Sequence, residues 1–400
     1  MKILVINCGS STIKYQLFNM DNQEVLCSGL VEKIGEPTGR ITHKKFPDTD
    51  KATKTVEDMR FPSHAEGMRK VVDVMMNGDT AVISDISEIQ GIGHRVVHGG
   101  SYFKPMVVTP EVIDNLRQVI PLAPLHNPAH LLGIEVAQEL FPNAKHVVVF
   151  DTAFHQTMPD YVYMYPLPYE IYTKYAVRKY GAHGTSHKYV AKRAAELLGK
   201  PLTQCNLITC HIGSGSSITA IKEGRCLDTS MGLTPLDGLM MGTRCGSIDP
   251  ACVGFLVRNA GMSVDDVDTM MTKKSGLLGI CGVNDLRDVH AHIADGDEKA
   301  KLALNMMTYR IRHYIGAYLA QLGHIDALVF TAGVGENDEI VRRETLKGLE
   351  PFGFVLDQKV NDIRPGEHAL ISAPESKIKI YVIRTNEELE IAKETLALVE

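Results

Sequence analysis

Two turns rich in glycine and hydroxyl residues are the stretches whose residue types most clearly predict chemistry. The first, Gly9-Ser10-Ser11-Thr12, follows an apolar run from Ile3 to Ile6 and is followed closely by Lys14. Glycine lets backbone N–H groups turn towards a ligand, the hydroxyls add short donors, and the Lys14 ammonium can reach the same place. Such a cluster of donors suits a phosphate group. One such turn alone fits an ordinary serine-rich hairpin equally well.

The chain contains the same pattern a second time. An apolar strand from Leu207 to Ile212 is followed by the turn Gly213-Ser214-Gly215-Ser216 and by a second strand that alternates in polarity. In both copies a third candidate strand follows, at residues 24–30 and 225–229. Two β-turn-β loops about half a chain apart indicate a duplicated fold that grips one polyphosphate from both sides.

Charged side chains in glycine-rich surroundings form a second group of candidates. Arg95 lies among apolar residues and glycines, where a guanidinium needs either an anionic ligand or an internal ion pair. Asp151 ends an apolar strand, which is where open α/β sheets place their chemistry. Arg244 is the one central arginine of a glycine-rich stretch. A histidine of the segment His183-Gly184-Thr185-Ser186-His187, beside a helix N-terminus, meets either an anion or a structural hydrogen bond.

The last candidates lie near the C-terminus. A predicted strand from Asp326 leads into the glycine turn Gly333-Val334-Gly335, which fits a nucleotide's phosphates or sugar, although a lone GxG is weak evidence. The segment Thr385-Asn386-Glu387-Glu388 predicts a capping box. Glu387 is either a first-turn carboxylate favoured by the helix dipole or a metal-facing acid, and spacing alone favours the first.

Hydrophobic periodicity supplies the elements that would position these residues. It predicts helices over residues 64–76, 129–140, 301–322 and 387–399, and strands over residues 145–151 and 377–383. A further helix runs to Leu198, with Thr185 or Ser186 as its cap. Residues 37–63 are expected to cross the surface, and residues 155–175 to lead into a second domain.

Composition excludes several classes of protein. The 400 residues carry a formal charge of −6, without a basic stripe, so nucleic acid is not expected as the main partner. No apolar segment approaches the roughly 20 residues that span a bilayer, and no signal peptide begins the chain. The eight scattered cysteines form no CxxC pair and indicate reduced thiols in a cytoplasmic protein.

Taken together, these segments resemble the acetate kinase family, within the acetate and sugar kinase, Hsp70 and actin superfamily. The resemblance runs from the first strand to the last helix. It rests on five motifs: residues 7–15 (NCGSSTIKY), 93–100 (GHRVVHGG), 183–187 (HGTSH), 241–244 (MGTR) and 330–337 (FTAGVGEN).

The resemblance implies an α/β, duplicated actin-like ATPase fold with βββαβαβα topology in each of two domains. The domains would comprise residues 1–150 with 385–400, and residues 151–384, with the active site in the cleft between them. The implied activity is reversible transfer of the ATP γ-phosphoryl group to acetate, giving acetyl phosphate and ADP. The implied metal is Mg²⁺, with Mn²⁺ as an alternative, and the implied assembly is a homodimer, with no nucleic acid or membrane partner.

By the same resemblance, each candidate residue acquires a role. Arg95 and Arg244 would bind the acyl carboxylate and the transferring phosphoryl group, Asp151 would assist at the reaction centre, and His183 would stabilise the transition state. Asn7 and Glu387 would lie on the metal side, and Val97, Leu125 and Pro235 would form the wall of the acyl methyl pocket. The nucleotide and its phosphates would be held by Ser10, Thr12, Lys14, His211, Gly213, Ser214, Gly215, Asp285, Leu286, Arg287, Gly333, Val334, Gly335, Glu336 and Asn337.

Two positions depart from the family pattern. The family usually has phenylalanine where this chain has Ala182, which bears on the preferred acyl chain, and asparagine where it has Ser214, which bears on the grip on the nucleotide. The nearest alternative is therefore a propionate or other short-chain acyl kinase. An actin-like or Hsp70-like ATPase without acyl substrate is the alternative of another class, but the arginine and histidine motifs would have no purpose in it.

Overall fold

The computed structural model describes residues 1–124 and 126–400. They cluster into two compact units, one made of Met1–Phe154 with Asn386–Glu400 and the other of His155–Thr385. All eight cysteines are free thiols. Among the described helices, none has both the length and the apolar character needed to cross a membrane.

The first unit is built on an eight-stranded sheet in the order β5-β4-β3-β2-β1-β6-β8-β7. Its strands are β1 (Lys2–Cys8), β2 (Thr12–Asn19), β3 (Glu24–Glu32), β4 (Gly39–Lys45), β5 (Thr53–Met59), β6 (Ile89–Val96), β7 (Met106–Val107) and β8 (Lys145–Phe150). Its first helices are α1 (His64–Met76), α2 (Pro110–Gln118) and α3 (Asn127–Leu140). The strands β1, β6 and β8 run parallel, so their carboxyl ends lie at one edge of the sheet.

The second unit contains a six-stranded sheet in the order β11-β10-β9-β12-β14-β13. Its strands are β9 (Leu207–Ile212), β10 (Ser216–Lys222), β11 (Arg225–Thr229), β12 (Ala327–Thr331), β13 (His368–Leu370) and β14 (Lys379–Ile383). Its helices are α4 (Asp160–Tyr163), α5 (Tyr169–Tyr175), α6 (Gly184–Leu198), α7 (Ala251–Asn259), α8 (Val264–Lys273), α9 (Gly276–Cys281), α10 (Leu286–Ala294), α11 (Glu298–Leu322), α12 (Ala332–Asn337), α13 (Glu339–Leu346) and α14 (Gln358–Asn361).

The two sheets share one topology. The order β3-β2-β1-β6-β8 of the first matches β11-β10-β9-β12-β14 of the second, with the same antiparallel meander followed by parallel strands. The predicted duplication is therefore confirmed. Because β9, β12 and β14 are parallel, their carboxyl ends also share an edge.

The last helix, α15 (Glu387–Val399), belongs to the first unit and packs on the face of β1, β6 and β8. Close packing depends on Gly93 of β6, since a Cβ there would lie 2.4 Å from Thr395 Oγ1 and 2.7 Å from Ile391 Cγ2. Ile391 and Ala392 are buried against the sheet. The N-terminus of α15 thereby brings Glu387 to the first unit.

Four local predictions are wrong. Residues 37–63 do not simply cross the surface, because β4 and β5 extend the sheet there with charged, exposed side chains on the edge strand. His183 caps α6, and Thr185 and Ser186 lie buried inside its first turn. The cap of α15 is Asn386, whose side chain accepts from the N–H of Leu389, not Thr385. No glycine turn separates β12 from α12, because the helix begins at Ala332 in the left-handed region, with φ of 66°.

Candidate active site

In the first unit, the sheet edge brings three predicted site residues together. Asn7 lies at the end of β1, Arg95 at the end of β6, and Asp151 directly after β8, so the parallel strands deliver all three side chains to one place. The Arg95 guanidinium donates to the buried Asp151 carboxylate. Burial opposes its charge, but Asp151 and Glu387 outweigh burial and hold the pKa of Arg95 above its ordinary value. The ion pair that the sequence left as an alternative is therefore present.

That ion pair leaves part of the guanidinium unused. Arg95 Nε is buried and has no hydrogen-bond partner among the described residues. A buried donor of this kind is costly unless a ligand completes it. The Arg95 side chain is 22% exposed, so its accessible part can meet an anionic ligand while the guanidinium remains paired with Asp151.

Glu387 lies beside the same group of residues. A small cavity of about 60 Å³ is lined by Asn7, Lys14, Arg95, Glu387 and Glu388 together with Val5 and Ile391. Burial, with Asp151 and Glu388 nearby, raises the pKa of Glu387 to about 7 although Arg95 acts against the shift. A partly buried carboxylate held near other carboxylates favours a cation.

A divalent metal fits this chemistry only with ligands from outside the chain. Asn7 and Glu387 supply the oxygen donors that a hard cation prefers. No group of three or more histidine, cysteine or acidic side chains in the described residues could hold a metal by itself. This fits Mg²⁺, which usually takes one or two protein ligands and completes its shell with water and substrate phosphates.

The first of the two predicted phosphate turns is closed by its own backbone. The Gly9 N–H donates to Thr12 O at 2.9 Å, and Ser10 is exposed. The Lys14 ammonium, predicted to reach a phosphate, pairs with Glu388 at the start of α15. Lys14 is more than half exposed, so this pair can exchange for a phosphate at small cost.

In the second unit, His183 and Arg244 converge on the loop between β9 and β10. A Cβ built on Gly215 would lie 3.3 Å from His183 Nε2 and 3.5 Å from Arg244 Nη1. Arg244 is held by a bond of 3.0 Å from Nη1 to Pro235 O, and burial lowers its pKa. The described residues give it no carboxylate partner, so its charge remains available to an anion.

The rings of His183 and His211 stack with centroids 4.1 Å apart. His211 Nδ1 also lies 2.8 Å from Ser186 Oγ in the first turn of α6. His183 itself adopts a left-handed backbone, with φ of 58°, as the cap of that helix. Both predicted histidines therefore lie at the helix N-terminus, beside the second glycine loop.

A cavity of about 490 Å³ adjoins that loop in the second unit. Its walls include many of the predicted nucleotide residues: Gly213, Ser214, Asp285, Leu286, Arg287, Gly333, Val334 and Asn337. Asp285 and Arg287 pair at its rim, and this pairing lowers the pKa of Asp285 to about 2. The volume suits a nucleoside with its phosphates.

Ser10, Thr12 and Lys14, which belong to the first unit, and His211, Gly215, Gly335 and Glu336 of the second unit do not line this cavity. Gly335 packs near Phe330, and its carbonyl accepts from Arg342. The Glu336 carboxylate accepts from the N–H groups of Ala332, at 2.9 Å, and Thr385, at 3.0 Å. Both residues therefore make contacts at the junction between β12 and α12.

The residues of the predicted acyl pocket are distributed over the chain. Val97 lies just beyond β6 in the first unit and Pro235 lies in the second, while Leu125 falls outside the described residues. Ala182 is buried with Met231 and Met241 in one apolar cluster. The sequence did not mark these two methionines as neighbours of position 182.

Two buried polar residues lie behind His183, and of these the sequence marked only His187, as one histidine of the segment at residues 183–187. Ser217 bonds to both histidine rings, with its Oγ 2.7 Å from His187 Nε2 and 2.9 Å from His183 Nδ1. The signal for His187 was its spacing, because residues four apart share one face of a helix. No local pattern in the sequence marks Ser217.

The duplicated fold, the two glycine loops and the nucleotide-sized cavity are the features expected of a nucleotide-dependent phosphotransferase. Residues 2–393 match the Acetokinase family, so the chain belongs to that family. It is 57% identical over 394 residues to the acetate kinase of Oleidesulfovibrio alaskensis, with 98% of each chain covered. It is 55% identical to that of Desulfotalea psychrophila, with 100% of each covered.

Solved structures agree with this assignment. The crystal structure of Porphyromonas gingivalis acetate kinase matches with a TM-score of 0.95 at 44% identity, covering 100% of both chains. A propionate kinase from Francisella tularensis matches with a TM-score of 0.91 at 42% identity, covering 99% of both chains. Family membership makes the chain a kinase and leaves no support for an ATPase without an acyl substrate.

Proposed function

We propose that this chain transfers the γ-phosphoryl group of ATP to acetate, reversibly, giving acetyl phosphate and ADP. The observation that carries the proposal is similarity over the full length to proteins named acetate kinase. The charged groups of the two units fit this reaction, because phosphoryl transfer asks the protein mainly for alignment and neutralisation of negative charge.

Each group has a part in the proposed mechanism. Arg95, anchored by Asp151, binds the acetate carboxylate with the guanidinium edge that Asp151 does not use. An acetate carboxylate is already ionised at pH 7 and needs no strong base to attack. Arg244 and the His183 ring stabilise the charge spread over the transferring phosphoryl group. The cavity next to Gly213 and Gly333 holds the nucleotide.

The metal site is part of the same proposal. Asn7 and Glu387 would hold Mg²⁺, or Mn²⁺ in its place. When bound, the metal neutralises phosphate charge. Lys14 neutralises further charge once it leaves Glu388 for a phosphate oxygen.

The first experiment measures acyl phosphate as hydroxamate, with ATP and Mg²⁺, across acetate, propionate and butyrate. We expect the highest kcat/KM with acetate. The matched structure of a propionate kinase and the alanine at position 182 favour propionate as the second candidate. No acyl phosphate with any of the three acids would reject the proposed function.

A second experiment distinguishes the roles of the two arginines. We expect Arg244→Ala to lower kcat roughly 10²- to 10⁵-fold with little change in KM for ATP, because it loses a charge that acts in the transition state. Arg95→Ala should also raise KM for acetate. Arg225→Ala, which removes an exposed guanidinium at the start of β11, is the control. An Arg244→Ala enzyme with half the wild-type kcat would contradict the assignment.

We further infer a homodimer in the cytoplasm. Large apolar side chains are exposed mostly on the second unit, which supports a dimer contact there. Free thiols at all eight cysteines fit a reducing compartment such as the cytoplasm.

A further inference from the structure

His187 is a buried histidine close to His183, and the proposed mechanism gives it no role. His187 lies one helical turn after His183 in α6 and is completely buried, and burial, with His155 and His211 nearby, lowers its pKa far below the ordinary value. Its ring is therefore neutral, with one N–H donor and one acceptor nitrogen. Nδ1 lies 2.7 Å from Thr209 Oγ1, and Nε2 lies 2.7 Å from Ser217 Oγ.

Ser217 connects this ring to His183. Its hydroxyl oxygen lies 2.9 Å from His183 Nδ1 as well as 2.7 Å from His187 Nε2. A hydroxyl has one hydrogen, so Ser217 donates to one ring and accepts from the other. The chain Thr209–His187–Ser217–His183 thus has two self-consistent directions.

The two directions leave different atoms facing the glycine loop. If Ser217 donates to His183 Nδ1, a neutral His183 carries its proton on Nε2. If His183 Nδ1 donates instead, a neutral ring presents a lone pair at Nε2. Nε2 is the nitrogen that lies 3.3 Å from the position of a Cβ on Gly215, where Arg244 also converges. Phosphoryl oxygens accept hydrogen bonds, so only a proton on Nε2 is useful there.

We propose that His187 and Ser217 are positioning residues for the phosphoryl transfer. His187 Nε2–H donates to Ser217 Oγ, whose hydroxyl donates to His183 Nδ1, so the ring is held in place with its Nε2 proton towards the transferring group. Thr209 closes the chain by donating to His187 Nδ1. This inference rests on the proposed role of His183.

The first test removes the linking hydroxyl. Ser217→Ala should lower kcat about 10- to 100-fold, a loss typical of removing a hydrogen bond that orients a functional histidine. The KM values for ATP and acetate should stay within about threefold of the wild-type values. Thr219→Val is the matched control. It removes a buried hydroxyl from the same strand, two residues on, that bonds Thr229 Oγ1 at 2.9 Å, and should leave kcat near the wild-type value.

The second test exploits the two nitrogens of His187. Glutamine places an amide nitrogen near Nε2 and keeps a donor to Ser217, whereas asparagine places it near Nδ1 and keeps only the contact with Thr209. We expect His187→Gln to retain far more kcat than His187→Asn, at similar melting temperatures. A structural role that depends on Thr209 would give the opposite order and would overturn the proposal.

A double-mutant cycle with His183→Ala identifies the route of action. Because Ser217 acts through His183, Ser217→Ala should cost nothing further in that background. An equal loss in both backgrounds would reject the positioning role. If His183→Ala keeps wild-type kcat, the proposed role of His183 fails, and the positioning role fails with it. If His183→Ala lowers kcat but neither Ser217→Ala nor His187→Asn does, only the positioning role fails.

Discussion

The ionisation of Glu387 connects the chemistry of single residues to stability. Its pKa in the folded chain is about 7, against an ordinary value of 4.5. Between these pH values the folded state binds more protons than the unfolded state, so without metal the stability falls as pH rises through this window. The carboxylate that repels its neighbours when the site is empty is the one that attracts a cation.

Glu387→Gln tests this linkage. Glutamine mimics the protonated form, so the variant and the wild type should melt at similar temperatures near pH 5. Near pH 7.5 the metal-free variant should melt several degrees higher, since each pKa unit corresponds to about 1.4 kcal/mol. Calorimetry measures the melting temperatures at both pH values. Glu36→Gln, at an exposed position, is the control. A variant less stable than the wild type at pH 7.5 would contradict the raised pKa.

The side chain at position 182 is expected to affect both stability and the preference between acetate and propionate. It packs with the buried Met231 and Met241, so Ala182→Phe must displace at least one of them. We expect the variant to lose about 1–3 kcal/mol of stability from overpacking and to shift the kcat/KM ratio of acetate to propionate towards acetate. Hydroxamate assays and thermal melts measure the two effects. An unchanged ratio would show that the side chain at 182 does not shape the acyl pocket.

The loop between β9 and β10 leaves little room for a side chain at Gly215. The Cβ of Gly215→Ala would lie 3.3 Å from His183 Nε2, closer than ordinary contact, and 3.5 Å from Arg244 Nη1. We expect kcat to fall at least about tenfold, because small misplacements of reacting groups are costly. Gly316→Ala is the matched control. It lies on α11 with nothing within 4 Å of its Cβ, and should keep full activity and gain about 0.5–1 kcal/mol.

Helix α7 is a largely apolar helix that the described chain leaves uncovered. Its sequence, ACVGFLVRN, is largely apolar, yet none of its residues is buried by the described chain. Phe255 in this helix is 61% exposed. An uncovered apolar helix of this kind marks an interaction surface, and we expect a second copy of the chain to cover it.

Phe255→Arg should therefore weaken the homodimer. Phe103→Arg is the control, because Phe103 is 66% exposed but lies in the first unit. Sedimentation at several protein concentrations should show dissociation for the first variant only. A stable dimer in Phe255→Arg, or equal dissociation in both variants, would place the interface elsewhere.

Much of this molecule is determined by local sequence. The turns after Cys8 and Ile212, the bounds of α1 and α15, and the repeated meander follow from hydrophobic period and turn chemistry, which act over a few residues. The arginines 95 and 244 and Asp151 were likewise recognisable, since a charge among glycines and apolar residues needs a reason.

Only the tertiary structure decided which groups meet. The partnership of Lys14 with Glu388, 374 residues apart, depends on the return of α15 to the first sheet. The link from His187 through Ser217 to His183 depends on α6 packing on β9, the strand that pairs with β10. Strand β5 was missed because its side chains are mostly exposed and polar, and β4 was missed because Ile41 is the only large apolar residue on its buried face. In the first two cases the contact joins residues distant in sequence, and it forms through tertiary packing that no local pattern encodes.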